Sequence, residues 1–311
     1  MRKWFWLCLL LATPAAAQSN VIRIVVPFAA GGVQDIVARS INAELGTALG
    51  RSVIVENRPG AGGTVGTAMV AKATDGATFI LAGGSHTIAG SLYSKLPYDP
   101  IADFTGVAYV GTLDYVLMIS SAVPAKSVTE FVEYLKANPG KLNYASAGNG
   151  SASHLAMAYF CGLAGVDMVH VPFKATGEAV NEVLAGRAHA VTPANVSALP
   201  YAKDPRVRIL GSTGATRSQF LPGLSTVAES LPGYQFDSWV AVLAPATMPR
   251  AFVDQVNAAM AGLLKDPVIL GRLDKQGVVP QAMSPDELNA LLRADFQKMA
   301  RVVKASGAKI D

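Results

Sequence analysis

The chain is short of reactive side chains. Two cysteines and four histidines occur in 311 residues. Cys8 lies within an N-terminal apolar run, so Cys161 is the one thiol left to a processed chain. A lone cysteine closes no internal disulfide, and no Cys/His cluster has metal-ligand spacing. His86, His154, His170 and His189 are scattered, and the chain has neither a G-x-S-x-G elbow nor an H-E-x-x-H pair. An exported hydrolase or transferase built on His86 or His154 is therefore the weaker reading. Charge is sparse too, at 15% of residues with a formal net charge of +4. No basic run exists, which argues against nucleic acid and membrane surfaces as partners. A cofactor is not expected either. Gly60-Ala61-Gly62-Gly63-Thr64-Val65-Gly66 misses the dinucleotide fingerprint by one residue and follows the second strand rather than the first.

What the chain does have begins with a leader. Arg2-Lys3, the apolar run Trp4–Ala12 and the small residues Ala15 and Ala17 form an export signal, with cleavage expected after about Ala17. The run is too short to span a bilayer. Loss of residues 1–17 removes Arg2 and Lys3 and leaves a net charge of +2. With 51% hydrophobic residues, the remainder has ample material for two domains with buried sheets.

Strand-like and helix-like segments alternate along that remainder. Ile22–Val26 is apolar and β-branched, after which Val33, Ile36, Val37, Ile41 and Leu45 recur near helical spacing. Ser52–Glu56 and Thr78–Leu81 add strands, with a helix at Thr64–Ala73 between them. Repeated β–loop–α units predict an α/β fold whose mainly parallel sheet is flanked by helices. The long apolar stretch Val107–Ile119 leads into a fresh α/β series, and Phe236–Leu243 leads out of it. Two crossover strands around a complete α/β block imply a discontinuous first lobe, residues 18–119 plus 237–311, and an inserted second lobe, residues 120–236. Two crossings make a hinge, and a hinge leaves a cleft.

Two junctions share one construction. Val25–Asp35 and Leu142–Ser151 each run from an apolar strand through a glycine loop into a helix. Such a junction presents unpaired N–H groups at a positive dipole end, which suits an anion. In the first, Phe28, Ala29, Ala30, Gly31 and Gly32 form the cradle. Asp35 falls in the first helical turn, where it caps free N–H groups and pairs with Arg39, or reaches a ligand. In the second, Ser146, Gly148, Asn149, Gly150 and Ser151 supply hydroxyls and backbone, with Ser151 as helix cap. His154 either reaches the cleft or packs beneath it. A third junction holds Ser85 and His86. A fourth holds Thr176 and Lys174, a candidate second contact for a carboxylate.

These segments resemble the substrate-binding proteins of tripartite tricarboxylate transporters, the Bug-type extracytoplasmic solute receptors. The likeness covers nearly the whole processed chain. It is carried by Ile22–Arg39, Val53–Lys72, Asp75-Gly76, Asn143–Leu155, Val171–Lys174, Leu221–Glu229 and Ser238–Pro249. It implies a two-lobe periplasmic binding protein, a type II-like Venus flytrap hinged on two crossover strands. It also implies a monomeric periplasmic receptor that captures a small organic acid and delivers it to the transporter's membrane subunits. The acid would be a di- or tricarboxylate, an acidic amino acid or an aromatic acid. A sensor feeding a signalling kinase is the alternative. In such receptors the loops matching Phe28–Gly32 and Ser146–Ser151 hold the carboxylate, and the Asp35 position lies beside the ligand. One departure bears on the second lobe. After Gly186 the family shows a segment like Q-V-D-x-M-F-D, whereas this chain reads Arg187-Ala188-His189-Ala190-Val191-Thr192-Pro193.

Overall fold

The computed structural model describes residues 20–306 and residue 308. The leader and its cleavage point lie outside the described residues. Strand β1 (Val21–Val26) leads into helix α1 (Val33–Leu49), β2 (Ser52–Asn57) into α2 (Thr64–Ala71), and β3 (Thr78–Gly83) into α3 (Ser85–Leu92). Strands β4 (Phe104–Asp114) and β5 (Val116–Ser120) then run almost end to end. The next series comprises α4 (Val128–Ala137), β6 (Asn143–Ser146), α5 (Ala152–Ala164), β7 (Val169–Pro172) and α6 (Thr176–Leu184). It closes with β8 (Ala190–Val191), α7 (Asn195–Ala198) and β9 (Val207–Ser212). Strand β10 (Asp237–Pro245), α8 (Arg250–Leu263), α9 (Pro267–Asp274), β11 (Val278–Pro280) and α10 (Pro285–Ser306) complete the chain.

The strands form two sheets, in the orders β11-β4-β10-β3-β1-β2 and β7-β6-β8-β5-β9. Each contains a parallel block, β2-β1-β3 in one and β7-β6-β8 in the other. Beside each block lies one antiparallel strand, β10 or β5, which enters directly from the other half of the chain. The repeated strand order is the type II-like arrangement expected of a two-lobe binding protein. Parallel strands need cover on both faces. Ile22, Ile24, Val26, Phe79 and Leu81 accordingly enter one apolar cluster, while Val25, Ile80 and Ala82 enter another.

The crossings touch. The first is the β4–β5 pair, interrupted at Tyr115 rather than continuous over Val107–Ile119. The second is made by the segments flanking Thr213 and Phe236, because β10 itself belongs wholly to the first sheet. Thr213 N–H donates to the Tyr115 carbonyl at 2.9 Å, and Phe236 N–H donates to the Thr213 carbonyl at 2.8 Å.

Local chemistry sets the helix limits. Ser127, Ser151 and Asp266 each accept a first-turn N–H, and Ser284 exchanges hydrogen bonds with Glu287 ahead of α10. Helix α10 has 22 residues and so spans about 33 Å. It packs on α3 beside the first sheet and on α5 beside the second. Asp295 anchors it, accepting from Thr87 Oγ1 at 2.6 Å and Trp239 Nε1 at 2.9 Å. At its far end Gly162 of α5 lies so close that a Cβ there would stand 2.8 Å from the Ala305 carbonyl oxygen. Gly162→Val therefore forces the two helices apart and lowers stability by about 1–3 kcal/mol. Urea unfolding of the variant measures this, and an unmoved midpoint would show that the contact yields freely.

Candidate functional site

The first cradle is held together from inside. Gly31 adopts φ +81, a conformation that side chains rarely adopt, which turns the chain from β1 toward α1. Its N–H donates to Asp35 Oδ2 at 2.9 Å, and Gly32 N–H donates to the Ala29 carbonyl. The other Asp35 oxygen accepts from Arg39 Nε at 2.9 Å and Asn57 Nδ2 at 3.0 Å. Burial alone would raise the Asp35 pKa, but bonds from Arg39, Gly31 and Asn57 hold it below the usual value. Asp35 stays ionised and shapes the loop.

The second cradle is also cross-braced. Ser153 Oγ accepts from Ala147 N–H at 3.0 Å, Ser146 Oγ from Gly148 N–H at 3.1 Å, and His154 Nδ1 from Gly150 N–H at 3.2 Å. Ser151 caps α5 by accepting from His154 N–H. Behind the loop, the His154 ring stacks on His170 at 4.1 Å and His170 on Tyr144 at 4.9 Å. His170 Nε2 hydrogen-bonds Ser146 Oγ at 2.6 Å.

Both cradles open onto one narrow cavity. Phe28, Gly32, Val33, Gln34 and Ser85 line it from the first half of the chain. Ala147, Ser151, Ala152, Ser153 and Thr176 line it from the inserted block, and Tyr115 of the crossing completes it. These residues include the N-terminal ends of four helices, α1, α3, α5 and α6, each following the carboxyl end of a parallel strand. No charged side chain is among them. The Gln34 amide and the Ser85 and Thr176 hydroxyls, which belong to residues of this lining, have no hydrogen bond among the described residues. Tyr115 is different, since its hydroxyl is engaged with Ser238 and burial pushes its pKa up to about 12.

A wider groove of about 440 Å³ adjoins the cavity. Pro59 and Gly60–Gly63 form one wall, and Gly148, Asn149, Phe173 and Lys174 the other, while Phe28 and Ala147 line both spaces. The walls meet where Gly62 faces the Asn149 carbonyl, so near that a Cβ would stand 2.0 Å away. There Tyr93 Oη lies 2.8 Å from the Ala61 carbonyl and 3.1 Å from that of Asn149, with one proton to share between them.

The family described as tripartite tricarboxylate transporter family receptor matches residues 37–308. The chain belongs to this family. Three solved structures share its fold at TM-scores of 0.87–0.88. R. palustris Rpa4515, determined with adipate, is 31% identical, with 93% of this chain and 98% of that one covered (TM-score 0.88). The periplasmic binding protein BugD is 31% identical over the same shares (TM-score 0.87). MatC from Rhodopseudomonas palustris, with bound malate, is 33% identical over 91% of this chain and 98% of that one (TM-score 0.87). Members of the family are solute receptors, not enzymes, and membership implies export. Among the described residues no helix is long and apolar enough to cross a membrane.

Within this receptor, the sequence-selected residues divide sharply. Phe28, Gly32, Ser85, Ser151 and Thr176 line the inner cavity, and Gly148, Asn149 and Lys174 line the groove. The others do not line either space. Ala30 and Gly31 are exposed, Ala29 is half-buried, and Asp35 is spent on its cap and ion pair. Ser146, Gly150 and His154 brace the second loop from below. His86 is a core residue: its Nε2 meets the Pro100 carbonyl at 2.7 Å, and Phe104 lies edge-on at 4.7 Å. Burial there takes its pKa down to about 4. Sequence reasoning missed Val33, Gln34, Tyr115, Ala147, Ala152 and Ser153. For all but Tyr115 the signal was positional, the residues beside each strand–helix junction; Tyr115 sits instead in the break between β4 and β5.

The stacked histidines of the receptor carry a pH dependence. Burial lowers the pKa of His154 to about 4, and burial with the neighbouring His154 lowers that of His170 to about 3. Both are depressed, so their contribution to stability is complete above the ordinary value near 6.5 and is lost as pH falls toward 4. Thermal midpoints should therefore fall between pH 6.5 and 4, and less steeply in His170→Phe, which keeps the stack without the proton. Equal slopes would contradict this account.

Proposed function

We propose that the receptor captures a small organic carboxylate between its two lobes and delivers it to the membrane subunits of a tripartite transporter. The processed chain would begin near Gln18 in the periplasm. Lobes at residues 18–119 plus 237–311 and at residues 120–236 would close about the paired crossings at Tyr115 and Thr213. The observation that carries this reading is the convergence of four helix N-termini on one uncharged cavity. First-turn amides and the positive dipole ends of helices favour an anion, and the strand ends beneath them are where α/β sheets hold ligands. The malate and adipate bound by the two structural relatives are acids of the proposed class.

Ligand affinity follows from the donors. Charge-assisted bonds contribute about 1.5–3 kcal/mol each, so a few of them reach the roughly −8 kcal/mol of a micromolar complex after ordering costs. A ligand that touches both lobes favours the closed state by its differential affinity. The test is thermal unfolding of the mature protein with malate, succinate, adipate, glutamate and benzoate. At about 100-fold its dissociation constant, a true ligand adds roughly 2.7 kcal/mol. Ser85→Ala and Thr176→Val, one from each half, should each weaken the best acid by about tenfold or more. A panel without any shift, or two variants that bind as wild type does, would refute the proposal.

A further inference from the structure

The inner cavity and the outer groove differ in charge. None of the inner lining residues is ionisable at neutral pH, whereas the groove contains one cation, Lys174, and no acid. Lys174 is exposed. Among the described residues its ammonium joins none of the ion pairs. Glu178, whose Oε2 accepts the Lys174 backbone N–H at 3.1 Å, does not line the groove. Two aromatic rings line the groove as well, Phe28 from the first half of the chain and Phe173 from the inserted block. The two spaces meet at Phe28 and Ala147, which belong to both.

An acid with a single carboxylate finds all its donors in the inner cavity. A second carboxylate confined there would meet no cation, and its desolvation would go uncompensated. In the groove it meets Lys174 as a charge-assisted partner. Apolar carbons between the two ends pass the rings of Phe28 and Phe173. We propose that the groove is a second subsite, which holds the far carboxylate of an elongated dicarboxylate against Lys174 while the near one occupies the inner cavity. The inference rests on the carboxylate reading above and adds ligand length and far-end charge to it. Lys174 is then the residue that separates long diacids from long monoacids.

The experiment is calorimetric titration of the mature protein with succinate, suberate and octanoate. Suberate and octanoate have the same carbon count and differ only in far-end charge. In wild type, suberate should bind roughly tenfold tighter than octanoate, the worth of about one such contact. Lys174→Gln should abolish that ratio, and Lys174→Arg should keep most of it. Equal weakening of suberate and octanoate by Lys174→Gln overturns the subsite. So does a wild-type protein that binds succinate yet ranks suberate no better than octanoate. If none of the three acids binds, the carboxylate reading falls and the subsite falls with it.

Discussion

Four helix N-termini aimed at one space fix the electrostatics on which the rest of this structure depends. An anion leaving water needs compensation, and a cavity without cations can provide it only with oriented dipoles. The chain spends its polar side chains on that orientation. Asp35, Ser146, Ser153 and His154 all bind backbone N–H groups of their own loops. What they leave unengaged, the Gln34 amide and the Ser85 and Thr176 hydroxyls, belongs to residues that line the cavity.

The fold makes that convergence possible. Both sheets repeat the same strand order, so both present their parallel strand ends, and hence their helix starts, toward the cleft. The crossings at Tyr115 and Thr213 lie side by side, joined by backbone hydrogen bonds. Helix α10 reaches from α3 to α5 and adds a third link between the halves. At the mouth, Gly62 meets the Asn149 carbonyl and Tyr93 shares one proton between the two walls. Tyr93 keeps the Ala61 carbonyl as a partner within its own half, so separating the walls strands no donor.

Much of this was legible in the residues. Helix α1 begins and ends where its apolar spacing places it, at Val33–Leu49. All four strand–helix junctions at the cavity were marked by glycine, serine or threonine after an apolar run. Other features were hidden for physical reasons. Helix α3 follows two glycines and is only eight residues long, so its start reads as a loop. Strand β11 is three residues long and pairs only with β4, far away in sequence. Which hydroxyl faces a ligand and which braces a loop depends on hydrogen bonds such as Ser146 to His170, set by tertiary packing. In the sequence the Gly60–Gly63 loop offers only an imperfect nucleotide motif, and its place as a groove wall follows from the approach of Asn149.

A crystal structure of the mature protein with a bound dicarboxylate would show whether the anion sits among the four helix starts. One carboxylate should lie in the inner cavity, hydrogen-bonded to Gln34 or Ser85 on one side and to Thr176 or the start of α5 on the other. An acid resting on a single lobe, or bound away from Tyr115 and Phe28, would contradict it.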